Sequence, residues 1–466
     1  MALQTGLFTR LPLLGKKRSV YGLRPWELSQ FPIVIATTGE NIDLSKLDHN
    51  LAGPPFPYFQ PIISIEDKRV VGYEVLARGR DVQGNVTSLG YLFEKYADSQ
   101  VAIELDLSIR EAAFRQYRHS AVAQGKKLFI NVLPRWLNYT IRDDLSDVID
   151  PLVTQTTRYG IKPENVVVEI TEGEYLQHPD TMARAIHELK NYGFEIAVDD
   201  FGAGYSNMSR IGQMRPKYIK LDLHLIRKGF SDLVYKEILN SLAFLSEKIG
   251  AILLVEGIEH EEEVYGALDI GARYMQGYFL GFPESSFSNL DELQQILHDY
   301  MRDFTARKLT HMQSLMYFKS ITSEYFDIHL KELFLPEIKE GETHFRPIEP
   351  HSFPAFLRDH LRLVYFLNAQ GVQISPNYRL VKDDDGFRWQ MDHNYSQKDW
   401  SWRPYFLEFM ARRESEGMQR NYSEVYRDIK SSEPIVTLVH SYADDCLLCL
   451  DFSVAHIHNP LWHRKI

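Results

Sequence analysis

Cysteine is almost missing. Two residues, Cys446 and Cys449, occur in 466, both in the stretch CLLCL. Two thiols cannot build a disulfide framework, and without a second pair the C-x-x-C spacing cannot complete a zinc site. The surrounding VTLVHSYADDCLLCLDFSV reads as strand, where residues three apart face opposite sides, so both are expected as buried apolar side chains in a reducing cytoplasm. Long apolar runs are missing too, none approaching the ~18 residues of a membrane span. The opening MALQTGLFTRLPLLGKKRS lacks the apolar core and small-residue cleavage site of a signal peptide. Positive charge is in deficit: the formal net charge of −11 argues against bulk binding to nucleic acid through the phosphates. A small anionic ligand stays open if cations are recruited locally. The expectation is a cytoplasmic chain with no membrane span.

Material for packed cores is ample, at 44% hydrophobic residues, and the length suggests two or three domains. Residues 1–57 form an N-terminal extension with several Pro and Gly and no assignable chemistry. From Tyr58, YFQPIISI and VVGYEVLAR flank a tight polar turn at 66–68, too short to cross over, so these strands are antiparallel. Helical and strand-like stretches then alternate. Helical periodicity covers about 89–124, followed by strand 127–132, a helix near 144–159, strand 166–170, a helix near 179–192 and strand 194–198. A short helix near 206–213, strand 218–222, a helix near 231–249, strand 251–257, a helix near 260–270 and a last strand, 274–280, complete the set. Continuous apolar strands spaced by helices mean a parallel sheet buried on both faces. For 58–284 this predicts an α/β fold, a (β/α)8 TIM-like barrel with an antiparallel first strand. A doubly wound sheet is the alternative. Residues 285–345 read as a linker of amphipathic helices, suited to dimerisation or to plain packing. Residues 346–466 read as a small α+β domain around an antiparallel sheet.

The polar residues cluster in one place. In IAVDDFGAGYSN (196–207) an apolar strand ends in Asp199 and Asp200, which face opposite sides if the strand stays regular, and a Gly-rich loop follows. Glu74, Asn131, Glu169, Lys220 with Asp222, Glu256 and Gln276 stand at the ends of the other strands. Barrel enzymes build their sites on this carboxyl-terminal face. Any one of these side chains could be a solvated rim contact, but an apolar strand needs no carboxylate to fold, and burying several together is costly without cations. Carboxylate and amide donors, with no His or Cys among them, favour Mg²⁺ or Mn²⁺ over zinc. Two such ions suit in-line hydrolysis of a phosphodiester. Lys220 could orient water as a cation or, with a depressed pKa, act as a base. Arg78 could hold a phosphate or form a surface salt bridge.

These motifs resemble the EAL-domain cyclic-di-GMP phosphodiesterases. Glu74-Val75-Leu76 with Arg78, FQPI (59–62), NVLP (131–134), EITE (169–172), DDFGAGYSN (199–207), KLD (220–222), VEGIE (255–259) and QGYFLGFP (276–283) follow the family's order. The resemblance implies a barrel that cuts cyclic di-GMP to linear pGpG with two Mg²⁺ or Mn²⁺ ions per site, and with Ca²⁺ as an inhibitor. It assigns Glu74, Asn131, Glu169, Asp199, Asp200 and Glu256 to the metals. Lys220 and Glu256, together with Glu74, carry the catalysis, and Gln60, Leu76, Arg78, Asp222, Gln276 and Pro283 meet the substrate. Glu172 tethers the loop after Asp200, which in the family couples dimerisation to activity, so a homodimer is expected. Departures are Val75 for Ala, Leu223 for a basic residue or Gly, and Leu280 and Phe282 for Phe and Arg-like residues. The cyclase signature GGDEF is absent. A catalytically silent cyclic-di-GMP receptor, signalling through protein partners, is the alternative function.

More loosely, the C-terminal part resembles the PAS-like or Cache-like sensor domains that follow some EAL barrels. Trp400, Arg403, Tyr405 and Asp428 then become candidates for a pocket holding an unidentified small ligand. An aromatic core with one satisfied Arg is the other reading of the same residues.

Overall fold

A hairpin opens the barrel. β1 (Leu51–Ser64) and β2 (Arg69–Asp81) pair antiparallel across a turn in which Asp67 N donates to Ser64 Oγ and Lys68 adopts φ 52°. The strand starts upstream of Tyr58 because Gly53, Pro54 and Pro55 hide its alternation. They lie where the β1–β2 register shifts, between Ala52 and Phe56, a position that tolerates residues without an N–H. The structure, a computed structural model, describes residues 42–97, 99–132, 151–171, 179–201, 208–290, 292–339, 342–384, 386–443, 445–455 and 457. It divides into two compact units, Met1–Met301 and Arg302–Ile466.

In the first unit β3 (Val86–Ser88) pairs with β2 outside the ring. The ring itself continues through β4 (Lys127–Asn131), β5 (Val166–Thr171), β6 (Glu195–Phe201), β7 (Tyr218–Asp222), β8 (Ile252–Glu256) and β9 (Tyr274–Met275). Its order is β1-β9-β8-β7-β6-β5-β4-β2, and β1 pairs again with β2, so eight strands close into a barrel. β1 runs antiparallel to both neighbours and all other ring pairings are parallel. The doubly wound alternative is thereby excluded.

Around the ring lie α1 (Gly90–Lys95), α2 (Gln100–His119), α3 (Pro151–Tyr159), α4 (Pro179–Asn191), α5 (Met208–Met214), α6 (Leu223–Ser231), α7 (Leu233–Ile249) and α8 (Glu261–Asp269). Two features depart from the periodicity. The long helical stretch near 89–124 is two helices, and α6 intervenes before α7 because Asp222 caps it, accepting from His224 N. β9 is shorter than the expected 274–280. At Gly277 an added Cβ would lie 2.1 Å from Ile258 N and O, so the chain crosses another backbone there and turns away.

One apolar layer fills the barrel: Ile62, Phe129, Val167, Ala197, Tyr218 and Leu254, one each from six strands. Gly72 belongs to it by omission, since a Cβ there would meet the Phe129 ring at 3.0 Å. Side chains two residues further toward the rim on the parallel strands point the same way, and this places the site.

The stretch expected as linker helices is one 41-residue helix, α9 (Leu293–Leu333), whose sequence contains no Pro or Gly to break it. It begins in the first unit and runs into a hairpin, β10 (Phe334–Lys339) and β11 (Glu342–Pro347). The stretch FPAFLRDHLRLV, helical by its sequence, keeps only α10 (Ala355–Arg358) as helix, because LRLV begins a strand, β12 (Leu361–Asn368). The sheet adds β13 (Asn377–Asp383), β14 (Gly386–Asp392), β15 (Arg420–Tyr422), β16 (Tyr426–Arg427), β17 (Pro434–Ala443) and β18 (Cys446–Ser453), with α11 (Pro404–Glu416) between β14 and β15. The order is β14-β13-β12-β18-β17-β15, antiparallel throughout, as expected for an α+β domain.

The central β18 is buried along its whole length. One face, with Cys446, Leu448, Leu450 and Phe452, packs on Phe318, Phe326, Leu330 and Leu333 of α9. The other, with Leu447 and Cys449, packs on Tyr405, Phe406 and Phe409 of α11. The two cysteines thus face opposite sides as free, buried thiols, and burial pushes the Cys446 thiol up to about 12. No helix among the described residues is long and apolar enough to cross a membrane.

Candidate active site

Two residues beyond the apolar layer, the parallel strands deliver their polar side chains to one place. Phe129 leads to Asn131, Val167 to Glu169, Ala197 to Asp199, Tyr218 to Lys220 and Leu254 to Glu256. From the hairpin, Gln60 stands opposite Glu74. Period-two alternation, with the barrel closed, is sufficient to gather them.

Lys220 is the hub. Its side chain is 1% exposed, and its Nζ lies 2.8 Å from Glu169 Oε1, 3.0 Å from Asp199 Oδ1, 3.0 Å from Glu256 Oε2 and 3.7 Å from Glu74 Oε1. Asn131 Nδ2 donates to Glu169 Oε2 at 3.1 Å and to Glu74 Oε1 at 3.5 Å. Gln276 Nε2 donates to Glu74 Oε2 at 2.6 Å and to Gln60 Oε1 at 3.1 Å, while Gln60 Nε2 reaches the Gly281 carbonyl.

Asp199 and Asp200 do not obey the regular strand. The β6–β7 register slips between Val198/Ile219 and Phe201/Leu221, so two aspartates oppose Lys220 alone, and Asp200 takes φ 53°. This bulge turns Asp200 back toward its neighbour. Carboxylate oxygens of Asp199, Asp200 and Glu256 lie within 4.8 Å of one another, an arrangement that could hold a metal ion.

Four carboxylates therefore crowd one ammonium, with the exposed Asp200 at their edge, and their protonation shows the strain. Burial pushes Glu256 up to about 8 against the pull of Lys220, with Asp199 and Glu74 adding to the push. Burial likewise lifts Glu169 well above the usual carboxylate range, and lifts Asp200, which Asp199 raises further. For Lys220 burial acts downward, but Asp199, Glu169, Glu256 and Glu74 outweigh it and hold the ammonium well above its ordinary value. Of the two roles open to Lys220 in the sequence, these charges favour the cation. The donor set is hard and anionic with charge to spare, which fits a divalent cation that prefers oxygen ligands.

Other sequence candidates take different places. Arg78 is half-buried, donates to the Ala77 carbonyl, and has Tyr278, Glu74 and Tyr58 as electrostatic neighbours that offset the downward effect of burial. Leu76 and Pro283 are half-buried. Asp222 is occupied in capping α6. Glu172 and the loop 202–207 lie outside the described residues.

In the second unit, Trp400 Nε1 donates to Gln373 Oε1, Tyr405 OH accepts from Tyr365 OH, and Arg403 lies over the Trp402, Tyr405 and Tyr426 rings. Asp428 accepts from Ser431 N and Oγ. Each of the four thus has a partner within its own unit.

A cleft of about 230 Å³ opens over the site, lined by Gln60, Glu74, Glu256, Gly257, Glu259, Gln276, Gly277 and Tyr278. Glu259 and Tyr278 were not singled out by reading strand ends. Each follows a strand end by three residues, and only the turns at Gly257 and Gly277 bring them back to the mouth.

Comparison with known proteins agrees with this architecture. Residues 49–283 match the model of the EAL domain, and residues 291–460 match that of an EAL-domain associated signalling protein domain. YkuI of Bacillus subtilis, an uncharacterized EAL-domain containing protein, is 29% identical over 410 residues, which is 86% of this chain and 95% of that one. Its crystal structure, a complex with the substrate c-di-GMP and calcium, has a TM-score of 0.69 at 27% identity, covering 88% of this chain and 98% of that chain. The cyclic di-GMP phosphodiesterase RocR of Pseudomonas aeruginosa is 27% identical over 227 residues. That match spans 48% of this chain and 56% of RocR.

Proposed function

Starting from a chain that belongs to the EAL-domain family, we propose that this protein hydrolyses cyclic di-GMP to linear pGpG. The observation that carries the reading is the surplus of buried carboxylate around Lys220, a site that makes physical sense when divalent cations neutralise it. Glu74, Asn131, Glu169, Asp199, Asp200 and Glu256 would hold Mg²⁺ or Mn²⁺. Ions bound there supply a nucleophilic water at neutral pH and neutralise charge on the scissile phosphate.

The chain's own groups do the rest. Lys220 Nζ, kept protonated, donates to the water or to the phosphoryl oxygens rather than taking a proton. Glu256, 3.0 Å from Lys220 Nζ, would handle the water together with Lys220. Gln276 fixes the Glu74 carboxylate, and Arg78 holds a phosphate oxygen. Water adds to phosphorus as the bond to the ribose 3′ oxygen breaks, leaving a 5′ phosphate and a free 3′ hydroxyl. The second unit is proposed as a PAS-like regulatory domain with a small ligand of its own, and the active form as a cytoplasmic homodimer.

The test is direct. Purified protein with cyclic di-GMP and Mn²⁺ or Mg²⁺ should yield pGpG, and Ca²⁺ should support binding without turnover. Tight binding with no pGpG under any of these ions would refute hydrolysis and leave the receptor role.

A further inference from the structure

The rim of the cleft carries a feature that the hydrolytic chemistry does not use. Tyr278 and Phe282 stack with ring centroids 5.1 Å apart and planes at 19°. Large aromatic side chains normally lie inside, yet Tyr278 is 51% exposed and Phe282 64% exposed. They are held at the mouth by the turn after Gln276, where Leu280 N and Gly281 N both donate to the Gly277 carbonyl. Tyr278 lines the cleft beside Gln276 and Glu74, and its phenol is an electrostatic neighbour of Arg78.

The geometry points to the Tyr278–Phe282 pair as a stacking platform for one purine base of the substrate, outside the metal-binding centre. The inference rests on reading the site as one for cyclic di-GMP. Two considerations lead to it. At about 230 Å³ the cleft is below the ~300–1,000 Å³ of pockets that enclose a small ligand, so most of a dinucleotide must lie beyond it. A phosphate held at Arg78 would lie near Tyr278, the electrostatic neighbour of that guanidinium. A near-parallel aromatic pair with an open outer face extends by one more ring at little entropic cost, because each side chain has only two torsions to order.

The platform has a defined selectivity. Every base has a π-face, so stacking favours a large base over a small one without reading its hydrogen-bonding edge. It therefore contributes affinity for purines, and guanine must be distinguished from adenine by other groups.

Three full-length proteins test this: wild type, Phe282→Ala and Phe282→Trp. With Mn²⁺, Phe282→Ala should raise KM for cyclic di-GMP about tenfold while kcat stays within about twofold, and Phe282→Trp should restore KM. With Ca²⁺, which reads binding alone, a cyclic dinucleotide carrying 2-aminopurine in place of one guanine should be quenched by wild type and by Phe282→Trp. Phe282→Ala should lose the quenching. An unchanged KM and unchanged quenching in Phe282→Ala would overturn the platform, as would a fall in kcat at constant KM. Absence of pGpG from the wild type would instead strike the hydrolytic reading, and the quenching would still decide the platform.

Discussion

Lys220 illustrates how a single side chain can set both stability and chemistry. Removing its ammonium leaves Glu169, Asp199, Glu256 and Glu74 crowded together with no other ion-pair partner among the described residues. Lys220→Met should therefore cost about 3–5 kcal/mol in metal-free buffer, the scale of breaking a buried ion pair. Mn²⁺ should recover part of that loss, because one cation can substitute for another. Denaturant unfolding with and without Mn²⁺ measures both, and a loss insensitive to the ion would contradict the electrostatic account. Glu74→Ala and Asp199→Ala act in the opposite sense, removing a surplus charge. Each should lower kcat at least ~100-fold, comparable with losing one preorganised electrostatic partner, while the melting temperature stays near that of wild type.

A second residue-scale effect lies in the other unit. Asp451 is buried on β18 and accepts from Thr437 Oγ1 at 2.7 Å, and burial pushes its carboxyl up to about 7. A carboxyl raised above its unfolded value contributes stability that is complete below about pH 4 and is lost as pH rises through about 7. At ~1.36 kcal/mol per unit, the change is on the order of a few kcal/mol. Asp451→Asn keeps the acceptor for Thr437 and removes the titration, so its unfolding midpoint should vary less between pH 5 and pH 8 than that of wild type. Equal pH slopes in the two proteins would remove Asp451 from the explanation.

Among the elements, β6 and the turn after β9 are the most tightly constrained around the candidate site. The β6 bulge is what lets two adjacent aspartates serve one site, against the alternation of a regular strand. Gly277 is comparably constrained, since any side chain would collide with the Ile258 backbone on the far side of the cleft floor. Gly277→Ala should thus displace Gln276 and Tyr278 together and cut turnover at least ~10-fold by misplacing them. That loss would be read as pGpG formation in a protein that still melts cooperatively. On α9, Phe326 is fully buried against the sheet, near Phe452. Phe326→Ala should cost about 3–5 kcal/mol as transfer plus cavity, in the unfolding of the second unit.

At the scale of the whole molecule, two units with separate cores should unfold in two steps. Calorimetry should resolve both transitions, and cyclic di-GMP with Ca²⁺ should raise the barrel's, by about 2.7 kcal/mol at a hundredfold excess over Kd. Regulation by the second unit predicts a further effect. A protein ending at Met301 should differ from the full chain in specific activity or oligomeric state, measured by pGpG formation and light scattering. An unchanged enzyme would refute regulation while leaving the chemistry intact.

Much of this was legible in the residues themselves. Apolar strands at helical spacing dictate a parallel sheet buried on both faces, whereas its closure into a barrel rather than a doubly wound sheet is settled by the strand pairing. The polar residue ending each strand marks the rim, because period-two alternation carries it there. The short turn at 66–68 requires β1 and β2 to be antiparallel, and CLLCL requires its thiols to face apart. What the sequence could not decide depends on non-local contact. Whether a helical pattern is broken, as between α1 and α2, or runs on through α9, is settled by packing. Asp200 looked as if it faced away from Asp199 until pairing with β7 forced a bulge. Tyr278 and Glu259 reach the cleft only because the backbones at Gly277 and Ile258 cross. Alternation along a strand is a local property, whereas register slips and crossings belong to two strands at once, so the tertiary structure alone decides them.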